Sequence, residues 1–177
     1  MRIAFCGPSG TGKTTLAQHV ADLIHVPLNP IGSRSVSQAM GFASPYDVDK
    51  AGKRAEFQRR LIEEKARWEH EHESFVTDRT PLDNITYTIM HDVGAIDAAL
   101  LSRAVSATRR YTLIIRCTME TFFAPGDDPA RVLDPTYHVL FETVLEGLLA
   151  RHARHVYTIE SSALAARKYE VMMTVVG

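Results

Sequence analysis

The 177 residues, 45% hydrophobic and 23% charged, suit one soluble domain, 1–177, with a substantial core. A formal net charge of -1 excludes a uniformly basic nucleic-acid-coating protein, while leaving room for a local basic groove. Two cysteines, Cys6 and Cys117, make a disulfide framework unexpected, and no apolar run approaches the roughly 20 residues of a membrane helix. Without a signal-peptide core at its start, the chain is expected to be cytoplasmic, with no membrane partner.

In chain order, the apolar run 3–6 predicts a short strand, followed by a glycine-rich loop and a helix over about 14–23. A second short strand is expected at 25–28, closed by Pro30. The Gly, Ser and Ala of 31–46 predict an irregular loop. From 53 to 73 the sequence predicts a long helix, with Phe57, Leu61 and Trp68 inward and its Lys and Glu residues on solvated faces. A strand at 74–77 ends in Asp78-Arg79, and Pro81 suits the first turn of the next helix. Another helix is expected over 95–108 and a strand over 111–116. The stretch 118–135 predicts an exposed loop or lid. A helix over 136–150 and a strand over 155–159 follow. Ser161 is expected to cap a helix running towards Tyr169, with a small extra strand in the terminal MMTVV. Strands alternating with helices predict an α/β fold, a three-layer sandwich around a parallel sheet of about five strands.

The loop carries the chemistry. Gly7-Pro8-Ser9-Gly10-Thr11-Gly12-Lys13-Thr14 fits the G-x-x-x-x-G-K-[ST] pattern between a strand and a helix, and Thr15 follows it. The glycines let successive backbone N–H groups and the helix start surround phosphate oxygens. Lys13 is expected to reach the β- and γ-phosphates of ATP, and Thr14 to give its hydroxyl to Mg²⁺. The fold is therefore expected to be that of P-loop NTPases.

Three further segments are candidates for the rest of a site. In SFVTDRTPLDN, Asp78 stands at a strand end, where α/β proteins bind ligands. It is a candidate for organising Mg²⁺ or for accepting a proton from an attacking hydroxyl; capping the next helix is the structural alternative. Arg79 is a candidate phosphate clamp and Asp83 reads as a solvated first-turn carboxylate. In APGDDPARVLD, Arg131 is the best candidate to close over the donor, with Arg116 second and Asp127 and Asp128 nearby. Across from the P-loop, Arg34 is a candidate for binding phosphate or sugar, and Phe42 and Tyr46 for stacking on a base. His70 and His72, two apart on a helix, do not share a face, so no metal besides Mg²⁺ is expected. Cys6 reads as a small buried hydrophobe.

With the P-loop, TDRTPLDN and GDDPAR in place, the whole chain resembles the small P-loop kinases akin to the nicotinamide riboside kinase domain of bacterial NAD-biosynthesis regulators. That group includes many phage-encoded nucleotide kinases. Where relatives commonly read Asp-Gly-x-Arg in the lid, this chain has Asp128-Pro129-Ala130-Arg131. The resemblance implies ATP-dependent transfer of the γ-phosphoryl group to a nucleoside or nucleotide. It also brings a second acceptor class, 5-hydroxymethyluridine within DNA, as used by related phage kinases. For DNA, Lys50, Lys53, Arg54, Arg59 and Arg60 would have to form a basic patch beside the cleft. A nucleotide-dependent binding module without transfer is the third expectation, and either a monomer or a homodimer is compatible with the sequence.

Overall fold

The computed structural model describes residues 1–124 and 134–177. Four parallel strands, β1 (Arg2–Cys6), β2 (Phe75–Asp78), β3 (Leu113–Arg116) and β4 (Val156–Thr158), form one sheet in the order β2-β1-β3-β4. The fifth expected strand is reduced to one parallel bridge, Leu28 with Val76. Pro27 and Pro30 flank it, and each lacks the N–H that a continuing ladder requires.

Alternation along β1 divides the core. Ile3 and Phe5 face α1 (Lys13–Leu23) and α8 (Leu164–Val176), packing with Leu16, Val20, Val171 and Val175. Ala4 and Cys6 face the opposite layer, where Leu82 of α5 (Pro81–His91) and Phe141, Leu145 and Leu149 of α7 (Pro135–His152) cover the sheet. Burial raises the pKa of both cysteine thiols, that of Cys117 to about 11, so neither is a ready nucleophile.

The expected loop at 31–46 is instead two short helices, α2 (Ser33–Ala39) and α3 (Pro45–Lys50). Ser44 caps α3 by accepting from the Asp47 N–H at 3.3 Å, with Pro45 in the first turn. Both helices pack on α4 (Arg54–His70) through Val36, Val48, Phe57 and Leu61, a satellite core that stands beside the sheet. The faces of α4 expected to be solvated include Gln58, Lys65 and Glu69, each no more than 3% exposed. After α5, a 3-10 turn (Val93–Ala95) leads into α6 (Ala98–Thr108). The C-terminal MMTVV continues α8 as helix rather than forming a strand. That helix is capped by Ala163, with no side-chain bond; the Ser161 N–H instead donates to Glu170 at 2.9 Å.

Of the sequence-predicted lid, 118–135, the half at 125–133 lies outside the described residues, Asp127, Asp128 and Arg131 included, and Pro135 already belongs to α7.

Candidate active site

The P-loop leaves the C-terminal end of β1, which lies between β2 and β3. The chain crosses to opposite sides of β1 on either side of it, the arrangement that opens a crevice at strand ends. A cleft of about 650 Å³ opens there. Ser9, Gly10, Gly12, Lys13, Thr14 and Thr15 line it, while Thr11 is fully buried and donates its hydroxyl to the Pro8 carbonyl at 2.9 Å. Gly7 must be glycine: its φ is 129°, and a Cβ would sit 2.0 Å from the Cys117 carbonyl oxygen. Gly12, at φ 75°, starts α1 with no side-chain cap, so the first-turn N–H groups are available to an anion.

Lys13 is 5% exposed and folds back, donating from Nζ to the Pro8 carbonyl and, at 3.2 Å, to Thr11 Oγ1. Burial, and then the neighbouring Arg79, lower its pKa to about 8. Thr14 Oγ1 donates to Asp78 Oδ2 at 2.5 Å, while Asp78 Oδ1 is buried with no hydrogen-bond partner among the described residues. A hydroxyl and a carboxylate so joined are a hard-oxygen pair of the kind that holds Mg²⁺ together with phosphate oxygens. Among the described residues no group of three or more His, Cys, Asp or Glu gathers to bind a metal by itself.

Asp78 is fixed from behind by a residue that the sequence reading left on the surface. Lys65 of α4 is buried and donates to the Asp78 carbonyl at 2.7 Å. Desolvation lowers its pKa. One turn on, Glu69 accepts from the Tyr111 hydroxyl at 3.0 Å and from Asn29 Nδ2 at 3.2 Å, and burial raises its pKa.

Asp83, expected to be solvated, has no exposed surface. Its Oδ1 accepts from the Gly7 N–H at 3.0 Å and from Arg79 Nη1 at 3.4 Å. Its Oδ2 accepts from the Thr80 N–H at 2.9 Å and the Thr80 hydroxyl at 2.7 Å. Thr80 and Asp83 thus form the capping box of α5, and Asp83 also ties that helix to the P-loop. Capping therefore belongs to this pair, which leaves the Asp78 carboxylate to Thr14. Thr80-x-x-Asp83 was a readable capping signal; its reach to Gly7, across 76 positions, was not.

Arg79 adopts a left-handed backbone at φ 79°. Its guanidinium donates to the Gly7 carbonyl at 3.2 Å and Ser9 Oγ at 3.1 Å, and lies 5.0 Å from the Tyr87 ring centroid. Burial works against its charge, yet Tyr87, Asp83 and Asp78 hold its pKa above the usual arginine value. Arg79 is both a strut of the loop and part of the cleft lining.

The far end of the cleft is made of helices. Arg34 of α2 and Tyr46 of α3 line it as expected. Phe42 does not, because its ring packs against the satellite core of Val36, Val48 and Phe57. Other lining side chains were not picked out for the pocket from the sequence: Phe57 and Gln58 of α4, Asn84, Tyr87 and His91 of α5, and Tyr137 of α7; Arg54 of α4, read only as part of a DNA-facing basic patch, lines it with them. Positions 84, 87 and 91 share one helical face, a spacing that was readable. Asn84 Nδ2 donates to Gln58 Oε1 at 2.8 Å, and both side chains are 3% exposed. Asn84 Oδ1 and the Tyr137 hydroxyl are buried without hydrogen-bond partners among the described residues. Arg116 is drawn elsewhere, into a two-pronged ion pair with Glu146 at 3.0 and 3.2 Å.

Comparison with known proteins agrees with this architecture. The M. mycoides deoxyadenosine kinase with bound dATP aligns with a TM-score of 0.65 at 13% identity, over 100% of each chain. The NadR protein in complex with NR gives 0.71 at 16% identity, over 98% of this chain and 48% of that one. Shikimate kinase from Acinetobacter baumannii in complex with shikimate gives 0.60 at 15% identity, over 99% and 92%. At these identities the likeness is one of fold. A search of curated proteins finds no match to the sequence. No helix among the described residues is long and apolar enough to cross a membrane. A family model described as an AAA domain matches residues 2–167, and the chain belongs to that family.

Proposed function

We propose that the protein is an ATP-dependent kinase that transfers the γ-phosphoryl group to a nucleoside or nucleotide. The observation that carries this reading is a single cleft in which Lys13, Thr14 and Asp78 lie at one end and an aromatic pocket with the Gln58–Asn84 carboxamide pair lies at the other. A planar, polar acceptor of nucleoside size suits the second end, where aromatic faces and a few placed hydrogen-bonding groups provide orientation. The deoxyadenosine kinase and the NR-bound NadR protein that share this fold favour the same reading.

In this mechanism the P-loop N–H groups and Lys13 hold the donor phosphates. Thr14, with Asp78 as its hydrogen-bonded partner, would hold Mg²⁺, which would supply positive charge to offset that on the phosphate oxygens. Arg79 fixes the loop and presents positive charge to the cleft. Arg131 is proposed to close over the donor from outside the described residues. An alcohol acceptor would lose its proton to Asp78 as its oxygen attacks the γ-phosphorus in line and the bond to the leaving ADP breaks.

The alternative acceptor, 5-hydroxymethyluridine in DNA, receives less support. Of its proposed basic patch, Arg54 pairs with Asp49, Arg59 with Asp97 at 3.1 Å, Arg60 with Glu64 at 2.5 Å and Lys53 with Glu56 at 3.2 Å. Lys50 lies over the Tyr46 ring at 4.4 Å. Phe42, one of its two stacking platforms, is packed away from the cleft.

Transfer of label from γ-labelled ATP to nucleosides, nucleotides and hydroxymethyluracil-containing DNA tests the reading. Label is expected on a free nucleoside or nucleotide. Label only on DNA would select the alternative, and binding of ATP without transfer to any acceptor would select a regulatory module. For an alcohol acceptor, Asp78→Asn should lower the transfer rate about 100-fold or more while ATP still binds. A Mg²⁺ titration of the variant separates loss of the base from loss of the metal. Little loss would leave a phosphate acceptor, which is already nucleophilic.

A further inference from the structure

Arg167, on α8, has no exposed surface and no carboxylate within ion-pair reach among the described residues. Its Nη1 donates to the Thr11 carbonyl in the middle of the P-loop at 2.9 Å. Nε and Nη2 are buried without hydrogen-bond partners among the described residues, and the guanidinium carbon stands 5.0 Å from the Phe122 ring centroid. A buried cation that finds one hydrogen-bond acceptor and no carboxylate among the described residues is costly to keep, so a structural role alone accounts poorly for it. A neutral side chain could brace the same carbonyl.

The peptide to which it bonds explains the choice. The Thr11 carbonyl and the Gly12 N–H belong to one planar trans unit, so the two groups point in opposite directions. Arg167 holds the carbonyl towards α8, which turns the Gly12 N–H away from that helix, and Gly12 lines the cleft. A hydrogen bond from a charged donor also polarises the unit and strengthens its N–H as a donor. The approach is close: a Cβ at residue 12 would lie 3.1 Å from Nη1, so Gly12 serves both its left-handed φ and this contact.

We infer that Arg167 is a positioning residue for the phosphates of the donor nucleotide: from behind the P-loop it orients the Thr11–Gly12 peptide and adds its positive charge to the anion site. This inference rests on the reading that the cleft binds ATP. It makes the C-terminal helix, 156 positions away in sequence, part of the donor site without touching the acceptor.

The test measures the Kd of Mg·ATP and Mg·ADP by calorimetry, together with the acceptor KM, for the full chain and for Arg167→Lys and Arg167→Gln. Both variants lose stability, because both repack the same buried site. Charge separates them. Arg167→Gln should weaken both nucleotides about tenfold, the change expected for loss of one charge-assisted interaction. Arg167→Lys should stay within about threefold of the parent, and neither should change the acceptor KM. Lys and Gln variants that bind ATP equally, whether as tightly as the parent or equally weakly, would overturn the inference, since charge would then play no part. If the parent chain bound no ATP, the kinase reading itself would fall, and the inference with it.

Discussion

The P-loop end of the cleft is held mainly by backbone, with side chains bracing it from behind, whereas the far end is held by side chains from five helices. At the first, Gly7, Gly10 and Gly12 take positive φ, a backbone form that lets N–H groups of a loop converge on an anion. Asp83, Lys65 and Arg167 fix that backbone through the Gly7 N–H and the Asp78 and Thr11 carbonyls. At the second, α2, α3, α4, α5 and α7 each contribute a wall, and in the proposed kinase specificity would reside in which rings and amides those walls carry. Phosphate looks the same on every nucleotide, so a backbone cradle suffices for it. An acceptor must be told from its competitors, and backbone cannot do that.

The largest expected effect comes from breaking the brace at the first end. Asp83→Asn replaces a fully buried carboxylate that accepts four hydrogen bonds, one of them from Arg79. An amide nitrogen cannot accept, so a Thr80 donor or the Gly7 N–H is left unpaired. The variant should lose about 3 kcal/mol of stability in urea denaturation. A loss below about 1 kcal/mol would mean that the loop supports itself without this brace.

At the other end, Gln58→Ala removes the acceptor of the buried Asn84 amide and frees that side chain to turn. The acceptor KM should rise about tenfold, with the Kd of ATP unchanged. Equal losses in donor and acceptor binding would erase the division between the two ends.

The same division governs what could be read in the sequence. Residues 7–14 were legible because backbone chemistry of that kind demands particular residues at fixed spacing, and the strand and helix on either side followed from hydrophobic periodicity. Asp78 and Arg79 could be placed because a strand end beside a P-loop has few other uses. Asp83 was misjudged because one of its partners, the Gly7 N–H, lies far away in sequence, and local rules describe only its capping of α5. Lys65 and Glu69 read as ordinary surface charges because helical periodicity cannot show that a neighbouring strand covers them. In 31–46 the glycines and serines suggested irregular chain. There the satellite core of Val36, Val48, Phe57 and Leu61 stabilises two helices of seven and six residues that would be marginal alone.

Proton linkage sharpens the P-loop end further. With its pKa at about 8, Lys13 is mostly charged at neutral pH and loses its proton above that value. ATP affinity should therefore hold below pH 8 and fall about tenfold between pH 7 and 9. Lys13→Arg should remove that dependence. Stability moves the other way: the folded pKa lies below the usual lysine value of 10.5, so between the two the unfolded chain binds more protons. The contribution of Lys13 to stability then rises with pH, and its loss of affinity cannot be ascribed to its own effect on unfolding.

The smallest effect should come from Tyr46, and its contrast with Tyr87 shows how the two ends join. Tyr46 is 52% exposed, and its ring carries Lys50 at 4.4 Å. An exposed cation–π contact of that kind is worth about 0.5–1 kcal/mol, so Tyr46→Ala should raise the acceptor KM by no more than about fivefold. Tyr87 instead lies against Phe141 at 4.5 Å, between Arg79 at 5.0 Å and Arg54 at 5.5 Å, and its hydroxyl meets Ser9 at 3.1 Å. One of its arginines braces the P-loop and the other lines the acceptor pocket, so Tyr87→Ala should disturb both ATP and acceptor binding, where Tyr46→Ala disturbs only the latter. If Tyr46→Ala proved the more damaging of the two, α3 rather than α5 would be the wall that reads the acceptor.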